Sequence, residues 1–449
     1  MVSILARDGL MRRSRVYRNL LRVVGVSMFV GLPAQAQTLE QAVAHTIATN
    51  PDIKASYHEF KSKAFDAKGS YGGYMPKLDL NAGIGHESVD LASGTKSDLT
   101  RKDATLTLTQ LLWDGASTLD NIDRTVSDAE SVRFQLISDA QDIALEVAKI
   151  YLDASKAYEV LALSESNLAV HKEIYSDIKK RVDSGIGSTA DLSQVEARLA
   201  KAHGNLVAAQ NNLFDVHTTF KKVVGQLPQG LIFPKADIAF IPFTVDQGLA
   251  LAYDQHPVIR VAQSDVDSAK YQYEQSKGAN HPRITFEANQ TWRQDAGGIE
   301  GDSDEFSAMV RVKYNLFNGG ADMNRTRGTA QQLNKAKDLR DRTFRSVEEG
   351  LRLSWSALDL TLQQKEFLSD HVDSASETVM SYKKQYKLGK RTLLDLLNTE
   401  NELFEARKGY LDAKYDEQYA KYRVMNATGN LLKAFRVEIP YEWTQEKNY

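Results

Sequence analysis

Chemically capable side chains in this 449-residue chain concentrate in one stretch, Tyr386–Asn398, which reads YKLGKRTLLDLLN. Thr392 and Asp395 stand three apart. At that spacing a hydroxyl caps the first amides of a helix, and a carboxylate returns the bond while facing the positive end of the helix dipole. Beyond the cap, Asp395, Asn398 and Glu402 fall at i, i+3 and i+7 and share one helical face, apart from Leu393, Leu396, Leu397 and Leu403. If the leucines pack between helices, the polar stripe faces an enclosed, water-filled space. Arg181–Gln194, RVDSGIGSTADLSQ, is a fainter version of the stretch, with Gly185, Ser188 and Asp191 at the matching places. Gly185 and Gly389 lie 204 residues apart, and so do Asp191 and Asp395.

Enzymatic chemistry is not indicated. The nine His form no H-E-x-x-H pair, and neither a G-x-x-x-x-G-K-[ST] loop nor a G-x-S-x-G elbow is present. Gly83-Ile84-Gly85 falls in a strand pattern and Gly185-Ile186-Gly187 in a turn, so neither is a phosphate loop. The absence of Cys removes disulfides, thiolate metal sites and a Cys nucleophile. No catalytic residue, metal site or cofactor is expected, and a net charge of -3 gives no reason to expect a nucleic-acid partner.

The elements that position these tips are long. Ser117 to about Asp183 contains neither Pro nor Gly, which predicts a helix of about 100 Å at 1.5 Å per residue. Ile143, Val147, Ile150, Ala154, Ala157 and Leu161 form a heptad-like seam along it. A second such helix is predicted from about Asp322 to Leu388, with Leu351, Trp355, Leu358 and Leu362 on one face and Gly350 as a weak point. Shorter helices precede each, the first opening at Thr38 and interrupted at Asn50-Pro51, which His256-Pro257 echoes 206 residues later. Between short and long helices lie strand pairs of alternating pattern, at about 78–86 and 104–112, then about 283–292 and 306–314. Glu87–Lys102 and Arg293–Glu305, polar and Gly-containing, read as loops. Leu112-Trp113-Asp114-Gly115 and Leu316-Phe317-Asn318-Gly319 close the two pairs, 204 residues apart.

The plan is therefore a duplication. Residues 37–230 form one repeat with its tip at 185–191, and 231–435 form a second with its tip at 389–395. A polar tail, 436–449, is expected outside the repeat. Residues 1–36 read as a secretory signal: Arg12, Arg13, Arg15, Arg18 and Arg22 precede a short apolar run and the A-x-A site Ala34-Gln35-Ala36. The segment carries six Arg and one Asp, so the mature chain is near -8. No other apolar run is long enough for a membrane-spanning helix. Entry into a membrane would have to be by strands, and four strands cannot close a barrel, which needs about eight. Three chains would supply twelve. Tyr74, Trp113, Trp292, Tyr314 and Phe317, at the predicted strand ends, suit an aromatic girdle against lipid.

With LLWDGA and LFNGG after the strand pairs and SGIGSTADL and LGKRTLLDLLN at the tips, the chain resembles the TolC family of outer-membrane channels from Gln37 to about Phe435. The resemblance implies an α+β membrane protein working as a homotrimer, with a twelve-stranded outer-membrane barrel continued by a twelve-helix periplasmic tube. It implies partners too: outer-membrane lipid, a periplasmic adaptor docking at the tips through Gly185, Ser188, Gly389 and Thr392, and an inner-membrane ABC or other transporter. Type I protein secretion is the expected task, with small-molecule efflux or a soluble periplasmic coiled-coil scaffold as alternatives. The family closes its entrance with carboxylate rings that map to Asp395 and Asn398. Asn in place of a second Asp implies a weaker divalent-cation block. A closed-state latch maps to Asp191, Tyr386 and Arg391, where a bidentate Arg–carboxylate pair and a Tyr hydroxyl are available. The family's Thr before that Asp is Ala190 here, so Arg391 lacks one partner.

Overall fold

The computed structural model describes residues 37–90, 94 and 96–444. The expected signal over 1–36 lies outside the described residues. Thr38 caps α1 (Leu39–Thr49) through a reciprocal box with Gln41, at 3.3 and 3.1 Å. α2 (Pro51–Ser70) restarts at Pro51 under the Asn50 side chain, which accepts from Asp52 N at 2.8 Å. β1 (Lys77–Asp90) and β2 (Lys96–Trp113) follow, then α3 (Ser117–Asp183) and α4 (Thr189–Val224). The second half is α5 (Val245–Gln255), α6 (Pro257–Lys277), β3 (Arg283–Ala296), β4 (Ile299–Lys313), α7 (Ala321–Lys387) and α8 (Leu393–Ala427), with two short helices, α9 (Leu431–Ala434) and α10 (Tyr441–Thr444), at the end. α3 and α7 are both 67 residues long. Gly350 does not break α7, because i→i−4 bonding continues on both sides and one glycine costs only about 1 kcal/mol.

The four strands form one antiparallel sheet in the order β1-β2-β3-β4. They are longer than the sequence pattern indicates. Glu87–Asp90, Lys96–Lys102, Arg293–Ala296 and Ile299–Glu305 are ladder rather than loop. There most residues on both faces are polar and the few apolar ones, Val89, Leu99 and Ile299, do not alternate, so the hydrophobic period disappears while backbone pairing continues. Nearer the helices the alternation is strict and the register makes it two-sided. Leu78↔Leu108, Leu80↔Leu106, Ala288↔Ala308 and Phe286↔Val310 pair on one face. Asn81↔Thr105, Thr105↔Thr291 and Asn289↔Ser307 pair on the other. Arg311–Glu287 at 2.8 Å and Arg293–Glu305 at 3.1 Å belong to this polar face. The apolar face is open to solvent: Leu80 is 67% exposed, Ile84 73% and Phe306 69%. From Ile284 to Trp292 this face extends about 27 Å at 3.4 Å per residue, close to the roughly 25 Å apolar band of a membrane barrel.

The main core lies where α1 and α2 pack on the middle of α3. Leu136, Ala140, Ala144, Val147 and Tyr151 are buried there with Leu39, Val43, Phe220, Tyr422 and Met425. The Tyr151 hydroxyl donates to Gln37 O at 2.6 Å and accepts from Ile232 N at 3.0 Å, tying the start of the described chain and the inter-repeat linker to α3. The tail, as far as Thr444, packs on this body. Trp443 is buried in the same core, Arg133 donates to its carbonyl at 3.2 Å, and the Tyr57 hydroxyl donates to Glu442. Trp443, with Val437 and Ile439 packed against the same core, supplies the reason, since burying the Trp alone is worth roughly 2–3 kcal/mol. Further along, Lys414–Glu159 (2.9 Å) and Lys156–Asp412 (3.2 Å) join α3 to α8, and Lys365–Glu417 (2.6 Å) joins α7 to α8.

Candidate functional site

Both tips are built by the same local rule. Gly185 and Gly389 take φ of +76° and +69°, a conformation that costs other L-residues about 1–2 kcal/mol. Each closes a Schellman turn: Ile186 N donates to Arg181 O at 3.0 Å and Gly185 N to Val182 O at 2.9 Å; Lys390 N donates to Gln385 O at 2.9 Å and Gly389 N to Tyr386 O at 3.0 Å. The return helices start differently. Thr392 and Asp395 make both bonds of a capping box, each 3.2 Å. Ser188 accepts only from Ala190 N, at 3.2 Å, and Asp191 makes no reciprocal bond.

The two tips pack together. Ile178 of α3, Val195 of α4, and Leu393 and Leu397 of α8 are buried in one apolar plug, with Tyr386 partly buried against it. Leu396 and Leu403 are buried as well. Asp395, Asn398 and Glu402 remain on the open side of α8. Hydrogen bonds from Thr392, side chain and then backbone, hold the Asp395 carboxyl below the usual carboxylate range, with a smaller attraction from Arg391. Glu402 bonds His371 of α7 at 2.9 Å.

Of the expected latch, Tyr386 is brought near Asp191 and Arg391 is not. Burial raises the Tyr386 hydroxyl's pKa, Arg181 opposes that, and Asp191 and Asp177 add to it. The Tyr386 oxygen accepts from Arg181 at 3.5 Å, and that guanidinium lies 5.5 Å from the ring. Arg391 instead donates to Gln385 at 3.1 Å and stacks 4.3 Å over Tyr382 of its own hairpin. Asp191 has no hydrogen bond or ion pair among the described residues. Sequence reasoning missed Arg181, Arg198, Lys201 and Asn401. Arg198 Nη2 donates to Asn398 Oδ1, and Lys201 Nζ to Asn401 Oδ1, both at 2.8 Å. A signal for them existed: 198/201 and 398/401 repeat one spacing on two helices that leave their tips in the same sense.

At the sheet, Trp113 sits opposite Ile284 at the helix end and packs edge-on against His281 at 5.6 Å. Tyr74, Tyr314 and Phe317 lie in the adjoining connections, while Trp292 pairs with Ala104 at the far level of the apolar band. Among the described residues no helix is long and apolar enough to cross a membrane, and no cluster of three or more His, Asp or Glu could hold a metal ion.

Comparison with known proteins decides the family. The model of the outer membrane efflux protein family matches residues 42–226 and 249–430. This chain belongs to that family. The family's channel proteins, TolC among them, are outer-membrane proteins with periplasmic helices, not enzymes. Outer membrane efflux protein BepC of Brucella suis is 26% identical over 90% of this chain and 88% of its own length. Alkaline protease secretion protein AprF of Pseudomonas aeruginosa is 23% identical over 86% and 83%. The solved CmeC outer membrane channel of Campylobacter jejuni superposes with a TM-score of 0.78 at 17% identity, covering 88% of this chain and 86% of that one. The fold class is the TolC one: a duplicated strand pair and helical hairpin, completed in a trimer as a twelve-stranded barrel continued by a twelve-helix tube. The unpaired edges of β1 and β4 are where successive sheets join. The protein is an outer-membrane export channel of the kind that serves tripartite systems.

Proposed function

We propose that this channel is the exit duct of a type I protein-secretion system, receiving its cargo from an ABC transporter through a periplasmic adaptor. The supporting observation is the match to the alkaline protease secretion protein AprF over 86% of this chain. The absence of Cys, and so of a thiol for a lipid anchor, agrees with it. Small-molecule efflux is the second reading, favoured by the similarity to the efflux protein BepC. Deleting the gene separates them. Loss of a secreted protein with unchanged antibiotic susceptibility supports secretion; the reverse overturns it.

In the same reading the Asp395–Asn398–Glu402 face lines the periplasmic mouth, with Asp395 as the charged ring and Asn398 as the polar ring of its constriction. The closed-state latch between the tips is assigned to Asp191, Tyr386 and Arg391, which the approach of Tyr386 to Asp191 supports. The exposed turns at Gly185, Ser188, Gly389 and Thr392 meet the adaptor. Tyr74, Trp113, Tyr314 and Phe317 mark one membrane interface and Trp292 the other, which the two aromatic levels of the sheet support.

A further inference from the structure

Helices α4 and α8 both lead away from their tips, so equal spacings on the two stay in register. Arg198 and Lys201, three apart on α4, bond Asn398 and Asn401, three apart on α8, each at 2.8 Å. The acceptors are neutral amides and the donors full cations. Neither cation has an ion-pair partner among the described residues. The first rung lies next to Leu397 and one turn past Val195 of the buried plug, and the second lies one turn further from the tip. Asn398 is therefore not a free lumenal amide: its oxygen is turned toward a guanidinium of the other hairpin.

We propose that Arg198 and Lys201 are a further pair of gate residues, which clasp α8 to α4 and give the mouth positive charge at the level of Asn398. This inference rests on the reading of the Asp395–Glu402 face as the mouth. It reverses the simple expectation for a substitution at 398. A carboxylate on a free lumenal ring would bind divalent cations, whereas a carboxylate facing Arg198 would form an ion pair and tighten the clasp.

The test is single-channel recording of the full-length protein in planar bilayers, with Mg²⁺ titrated on the periplasmic side. Asn398→Asp lowers the open fraction about threefold, the usual scale of an exposed ion pair, and gains no Mg²⁺ block. Arg198→Gln/Lys201→Gln raises conductance and shifts selectivity toward cations. Arg198→Gln/Asn398→Asp frees the carboxylate, and Mg²⁺ blocks it at about tenfold lower concentration than it blocks Asn398→Asp, as expected when a neighbouring cation no longer competes. Full Mg²⁺ block in Asn398→Asp alone overturns the clasp, and so does unchanged conductance and selectivity in Arg198→Gln/Lys201→Gln. Asp395→Asn separates the two claims. If it alters Mg²⁺ block while the Arg198 and Asn398 variants behave as wild type, the mouth stands and the clasp falls. If neither Asp395→Asn nor the Arg198/Asn398 double variant has any effect, both fall.

Discussion

His256 gives the fold a pH dependence that its counterpart in the first repeat lacks. It caps α6 through Nδ1, which accepts from Val258 N at 3.3 Å, so the ring must be neutral to do the job. The equivalent Asn50 caps α2 with an amide that does not titrate. Burial pushes His256 from 6.5 down to about 4. The depressed pKa fixes the sign: the unfolded chain binds the proton first, so the stabilisation is complete above pH 6.5 and is lost as pH falls toward 4. The full shift corresponds to about 3 kcal/mol per chain, of which about 2 kcal/mol disappears between pH 7 and pH 5. His256→Asn keeps the cap bond and removes the titration. Urea unfolding followed by circular dichroism at pH 7 and pH 5 should show the wild type losing more stability than His256→Asn, by about 2 kcal/mol. Equal losses in the two proteins would refute the assignment.

Two further substitutions probe the packing. Leu397→Ala empties the centre of the inter-tip plug, where Leu397 is fully buried. It should weaken tip docking by about 2–5 kcal/mol and raise single-channel conductance with the trimer intact; unchanged conductance would count against the plug. Arg133→Met removes the buried 2.7 Å pair with Glu130 and the bond to the Trp443 carbonyl. It should cost about 3–5 kcal/mol in denaturant unfolding, with most of it recovered in Arg133→Met/Glu130→Leu; a loss below about 1 kcal/mol would contradict the role given to the tail.

The repeat, the long helices and the two tip turns were legible because their signals are local. A 67-residue span without Pro or Gly, a Gly that must take positive φ, and a Thr-x-x-Asp cap each act within a few residues. The polar ends of the strands were not legible, because where both faces meet water the period-2 signal vanishes although the ladder persists from Lys96 to Lys102. Nor was the docking of the tail, which depends on Trp443 finding a core formed by residues about 310 positions earlier. At the tips, sequence reasoning grouped Asp395 with Asn398 by helical face. The partners of these two side chains differ because they depend on the other hairpin: Asp395 bonds within its own first turn, and Asn398 bonds α4.

In the proposed reading of this tip as the channel mouth, that difference bears on how the mouth is regulated. Asp395 is both the start of α8 and the one acidic group of its turn. Its carboxyl is held below the usual range by the bonds that cap the helix. The cap's contribution is therefore present above the ordinary carboxyl pKa and lost only as pH falls through the depressed one. Over ordinary periplasmic acidities Asp395 keeps its charge, and discharging it would also loosen the first turn of the helix that carries it. The rungs at Arg198 and Lys201 end on amides that do not titrate. Charge at the tip can then be changed by a competing ion or a docking partner more readily than by protons.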